Sequence, residues 1–279
     1  MASQVYRSAK VRWLGALSCA TAAAVGGVLA VSAGGGATPR LPDLDQTAPY
    51  AVSVQRRDGR YVLVFGSSVE NVGRGPLEID ARRAGSARAM DAAQVIRRSD
   101  GSVVRRPLGR IVLYERAETH SHWHLHRFER YELRRPGDGR RLLRAVKQGF
   151  CLGDRYDRDR DERMAGEPSA PRWTHECGRG ETGRRRLNEG ISPGYGDDYA
   201  PYLEGQFFSL RGLRAGRYVI VQRVNPYGVL RESSYANNAA SVLVELRRPA
   251  GGPPRAVVLR RCPGSATCAP TGTPGSRAV

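Results

Sequence analysis

The 279 residues suit one domain with tails, and 40% hydrophobic content is enough to bury a sizeable core. A formal charge of +18 raises the question of nucleic acid, but the arginines are scattered over the whole chain instead of forming one basic patch, and an export signal removes that partner. A basic exported protein is instead drawn toward anionic cell-envelope polymers.

The first element is a leader. Arg7, Lys10 and Arg12 precede LGALSCATAAAVGGVLAVSA, an apolar run without charge, and Val31–Ser32–Ala33 offers the small residues at which signal peptidase cuts. We read residues 1–33 as a signal peptide, giving a mature chain from about Gly34 with a charge of +15 and a secreted or cell-envelope location. An uncleaved membrane anchor is the alternative, and a lipoprotein signal through Cys19 is a weaker one, because Ala16 stands where a branched aliphatic residue is expected.

Residues 34–40 form a Gly/Pro/Ala linker and residues 41–247 a single domain. Within it YAVSV (50–54), YVLVF (61–65), IVLYE (111–115), RLLRAV (141–146), QFFSL (206–210), RYVIVQRV (217–224) and SVLVEL (241–246) are short runs rich in Val, Ile and Tyr. DG, GRG, PGDG, AG and NPYG punctuate them, which predicts an all-β fold, most simply a β-sandwich with long functional loops. No convincing amphipathic helix interrupts the pattern, and the best candidate, RRAGSARAMDAAQVIRR, 82–98, is short. A polar segment between Cys151 and Tyr199 is too long for an ordinary connection, and residues 248–279 read as a Gly/Pro-rich, poorly ordered tail.

Four cysteines remain after the leader, an even number that suggests two disulfides in an exported chain. Short loops favour Cys151 with Cys177 and Cys262 with Cys268, although two other connectivities are open. Asp157, Asp159 and Asp161 have the spacing that opens a calcium loop, but Glu162 occupies the glycine position and no closing glutamate follows, so a solvated mixed-charge loop is the better reading.

Two features carry chemistry. Only Lys10 and Lys147 among the 45 basic residues are lysine, and arginine cannot replace lysine where an amine must lose its proton and attack carbon. Four of the five histidines stand in HSHWHLH at His120, His122, His124 and His126, so on a strand they share one face while Trp123 and Leu125 take the other. Such a row of imidazoles suits Cu(II), with zinc as the alternative metal. His175, apart from the row, is a structural or surface residue.

HSHWHLH followed by RFERYEL resembles the copper-binding segment of the lysyl oxidases. VKQGFCL (146–152) is similar to that family's Lys-x-x-Phe-Cys-Leu, and GISPGYGDDY (190–199) to its Gly-Leu-Ser-Pro-Gly stretch ending in Asp-x-Tyr. FGSSVENVG, AGRYVIVQRVNP and ESSYANNAAS extend the resemblance over about Tyr61 to Leu246. It implies copper on His120, His122 and His124, with His126 as an alternative ligand or a neighbour of the site, and a lysine tyrosylquinone made from Lys147 and Tyr199. It also implies oxidation of a primary amine, peptidyl lysine in the family, by dioxygen to an aldehyde, with hydrogen peroxide and ammonia released. Asp197 is a candidate base, or a turn residue. The family's disulfide around the cofactor tyrosine is absent, since Tyr195 and Gly205 stand where its cysteines are expected. The competing function is an exported copper- or zinc-binding module without oxidase activity.

Overall fold

Alternating and fully apolar runs build about half of the described residues into strands and none into helices, because β-branched and aromatic side chains pack well on a pleated surface. The computed structural model describes residues 36–116, 121–145, 147, 149–158 and 162–270. Residues 1–33, read from the sequence as a signal peptide, lie outside them, as do His120, Asp159, Asp161 and the last nine residues. The strands run β1 (Pro39–Arg40), β2 (Leu44–Gln46), β3 (Tyr50–Arg57), β4 (Arg60–Asn71), β5 (Leu77–Arg82) and β6 (Ala89–Arg98). β7 (Val103–Arg116), β8 (Ser121–His126), β9 (Glu129–Arg134), β10 (Arg141–Arg144), β11 (Gly149–Phe150) and β12 (Tyr156–Asp157) follow. β13 (Arg186–Ile191), β14 (Tyr195–Tyr199), β15 (Phe207–Ser209), β16 (Gly216–Val224), β17 (Ala239–Arg247) and β18 (Arg255–Cys262) complete the order.

The fold is all-β, as the spacing predicts, and each of the seven apolar runs contributes residues to a strand. They form three antiparallel sheets. The first has the order β11-β8-β7-β6-β5-β13 with β1 against β6, and the second β10-β9-β16-β17-β18. The third is built on β4, whose first half pairs with β3 and β15 and whose second half pairs with β2 and β14. One main core draws on all three sheets, with Phe65, Trp123, Phe128, Tyr131, Phe150 and Phe208 at 0–1% exposure. Burying each such side chain contributes on the order of 2 kcal/mol.

Two segments are resolved by the sheets. The helix candidate 82–98 supplies the end of β5 and the whole of β6 instead, because two-residue alternation in AMDAAQVIRR matches a ladder between β5 and β7. The tail is also more ordered than its composition suggests. Arg255–Cys262 adds β18 to the edge of β17, and Cys262–Cys268 closes a short loop whose Cys268 packs on Val219, Val221 and Leu243.

The long polar segment is held in place by one buried carboxylate. Asp154 accepts hydrogen bonds from the backbone N–H of Arg172 (2.7 Å) and Ser192 (2.7 Å) and from the Ser192 hydroxyl (2.8 Å). Buried donors of a loop need such an acceptor, and here one side chain, which the Trp173 N–H also reaches at 3.4 Å, serves four donors. The Cys151–Cys177 disulfide ties the same segment to the strand that carries Phe150.

Candidate functional site

β8 lies between β7 and β11, and its two-residue period separates the side chains as expected: Trp123 and Leu125 are in the core, and the described histidines take the opposite face. The His122 and His124 rings are 4.3 Å apart, centre to centre. His122 Nδ1 is 3.2 Å from the Glu176 carbonyl oxygen, and His124 Nδ1 is 2.6 Å from Glu115 Oε2. Those acceptors favour the tautomer with the proton on Nδ1, which makes Nε2 the lone-pair nitrogen of each ring. Burial pushes the His124 pKa down despite the neighbouring carboxylate, so the ring is neutral.

Glu115 also reaches His126, with Oε1 2.6 Å from Nε2. Burial alone would raise its pKa, but the bonds to both imidazoles hold the carboxyl well below the usual carboxylate range. One ionised carboxylate thus orients two histidines of the row. Gly149, opposite His126 on β11, is required beside them, since a Cβ there would sit 2.6 Å from His124 Cβ.

Lys147 follows β10, and its Nζ lies 5.0 Å from the centre of the Tyr199 ring and 5.0 Å from that of Phe150. Burial lowers the Lys147 pKa, while Glu129, Glu115 and Asp197 pull it back up. Tyr199, at the end of β14 and opposite Ser67 of β4, is 5% exposed. Its hydroxyl donates to Asp197 Oδ2 at 2.6 Å and lies 3.3 Å from the Cys151 carbonyl oxygen. Burial and then the Asp197 charge raise the phenol pKa well above its ordinary value. Asp197 is itself buried, which pushes its carboxyl up to about 8 against the opposing pull of Arg155, whose Nε is 3.6 Å from Oδ1.

These groups share one cavity of about 550 Å³, lined among others by His122, His124, Lys147, Arg155, Asp197 and Tyr199. The cavity brings together side chains from β8, β14 and the turn after β10, segments up to 77 residues apart in the chain. The sequence model of the family described as Lysyl oxidase matches residues 87–249, which include every one of them. The chain belongs to the lysyl oxidase family. It is 29% identical over 121 residues to the protein-lysine 6-oxidase of Rattus norvegicus and 28% identical over 121 residues to that of Homo sapiens, in each case 43% of this chain and 25% of the relative. To lysyl oxidase homolog 1 of Homo sapiens it is 25% identical over 123 residues, 43% of this chain and 18% of that protein. The chain therefore spans a quarter or less of the length of these relatives.

As a lysyl oxidase family chain it would carry copper and a lysine tyrosylquinone, and the residues present fit both. Two imidazoles turned by fixed Nδ1 acceptors form a nitrogen-donor set of the kind copper takes. The amine and the phenol that would be joined sit face to face in the same cavity. Gly205, beside Lys147, has a φ of +74° that suits glycine. A Cβ there would come within 2.9 Å of the Lys147 backbone nitrogen, which donates to the Gly205 carbonyl oxygen.

Sequence reasoning missed Glu115 and Arg155. Glu115 was legible as the acid ending the apolar run IVLYE, beside a strand of histidines. Arg155 gave no signal, being one arginine among 43. His175 is structural: its Nδ1 accepts from the Cys177 backbone and its Nε2 lies 2.6 Å from the Asn188 carbonyl oxygen.

Proposed function

We propose that this chain is an exported copper-dependent amine oxidase that converts primary amines to aldehydes, with lysine-containing proteins as one substrate class. The observation that carries the reading is the approach of Lys147 Nζ to within 5.0 Å of the Tyr199 ring centre in a cavity shared with His122 and His124. His120, His122 and His124 would hold Cu(II), and the lysine tyrosylquinone made from Lys147 and Tyr199 supplies an electrophilic carbonyl that takes up the substrate's electron pair. The net reaction consumes amine, dioxygen and water and releases aldehyde, ammonia and hydrogen peroxide.

The chain's own residues account for the rest. Desolvation favours the neutral Lys147 amine, the form whose lone pair can attack carbon. Asp197 accepts a hydrogen bond from the Tyr199 hydroxyl and, once ionised as pH rises through about 8, can take a proton from a substrate carbon. Phe150 packs edge-on to Tyr199 with centroids 5.0 Å apart and keeps water from that side of the ring. His126 serves as a neighbour of the metal set through Glu115, not as a ligand.

The test is direct. After aerobic incubation with Cu(II), mass spectrometry should find a peptide crosslinked through Lys147 and Tyr199, phenylhydrazine should give a chromophore, and a primary amine should release peroxide. Separate Lys147 and Tyr199 peptides with no chromophore would reject the oxidase and leave a copper- or zinc-binding module.

A further inference from the structure

The outer face of the sheet built on β9 and β16 carries more positive charge than its acids balance. Along β9, Tyr131 and Leu133 point into the core, so Arg130, Glu132 and Arg134 project from the other side. Arg223 of β16 stands directly opposite Arg130 in register. Like charges in that position destabilise a ladder.

Glu132 is shared by three of the arginines, lying 3.1 Å from Arg130 and 3.5 Å from Arg141 and also paired with Arg134. Arg223 makes no ion pair among the described residues. The Arg130 Nε, although close to Glu132, has no aligned hydrogen-bond acceptor. Arg130, Arg134 and Arg223 converge with Tyr235 and Asn238 on a hollow of about 260 Å³. The Arg130 guanidinium lies 5.6 Å from the centre of the Tyr227 ring, which is 53% exposed.

We propose that this hollow binds a tetrahedral oxyanion, a phosphate or sulfate group, and that polymers bearing such groups in series dock on this face. Guanidinium forks match the paired oxygens of such an anion, and an anion between Arg130 and Arg223 turns their repulsion into two charge-assisted contacts. Burial, and then the nearby Arg134 charge, lower the Arg223 pKa, the strain that a bound anion relieves. Docking here leaves the 550 Å³ cavity open, because Lys147 and Phe150 pack on the Tyr131 side of β9. The inference is independent of the oxidase reading.

The experiment uses the full chain, with melting temperatures in phosphate and in chloride at equal ionic strength and pH, and calorimetric titration with inorganic phosphate and with long-chain polyphosphate. Phosphate should raise the melting temperature, and polyphosphate should bind at least about tenfold more tightly than inorganic phosphate. Arg223→Gln should abolish the phosphate shift and weaken both ligands on the order of tenfold, while melting no lower than the parent in chloride. Arg110→Gln, a control whose side chain is 71% exposed on β7, should keep both responses. An unchanged phosphate response in Arg223→Gln, or an equal loss in Arg110→Gln, overturns the site. Equal affinity for the two ligands overturns docking of polymers. Should Arg223→Gln fail to fold, Arg130→Gln makes the same comparison.

Discussion

The Tyr199 hydroxyl donates a 2.6 Å hydrogen bond to Asp197, two residues back on the same strand face, and both side chains are buried. A phenol of raised pKa is thereby paired with an acid whose own pKa burial brings to about 8. Proton traffic at the cavity runs through this pair in the mechanism proposed above.

Asp197→Asn should lower amine turnover about 10²- to 10⁴-fold, the range a positioned base contributes. The sign of the pH effect follows from the base role: the carboxyl must be ionised to accept a proton, so kcat/KM of the parent should climb as pH rises through about 8. Peroxide release measured against pH checks both points. A parent-like rise in the variant would remove Asp197 from the base role.

Stability should depend on pH through other buried acids. Burial pushes Glu129 up to about 7 and Glu189 to about 8, from 4.5 in an unfolded chain. Because these values are raised, the stabilisation is full below about pH 4.5 and is lost as pH climbs through 7 and 8, by on the order of 1 kcal/mol per pH unit for each group. Chemical denaturation of the copper-free protein should show that fall, and Glu189→Gln should flatten its upper part. A slope identical in the variant would contradict the assignment to Glu189.

Glu115→Gln should weaken Cu(II) binding about 10- to 100-fold, since the carboxylate orients His124 and neutral amides accept less strongly. His126→Ala should retain one copper per chain with a smaller loss, as it touches the site only through Glu115. Competition titration with a chelator measures both. Loss of stoichiometric copper in His126→Ala would make His126 a ligand.

Gly205→Ala should cost about 1 kcal/mol or more for a side chain at positive φ, and should displace the Lys147 backbone that its Cβ would crowd. The yield of the Lys147–Tyr199 crosslink, read by mass spectrometry at a temperature where the variant is folded, should drop. Full yield would show that the position of Lys147 does not depend on Gly205.

Much of this was readable along the chain because it is local. Two-residue alternation determines strands and the side of β8 on which histidines project, and the scarcity of lysine, Lys10 and Lys147 against 43 arginines, marks Lys147 before any fold is known. Local pattern failed where partners lie far away. Residues 89–98 and 255–262 are strands because β5, β7 and β17 offer free edges to them, which composition does not encode. The same holds for the cavity: burial of Asp197, the bridging of His124 and His126 by Glu115, and the register that sets Arg223 against Arg130 all arise from sheet packing. The sequence by itself determined which groups are present and which face each takes. The tertiary structure decided which of them meet, because pKa shifts and contacts depend on distance and desolvation between segments that the sequence keeps apart.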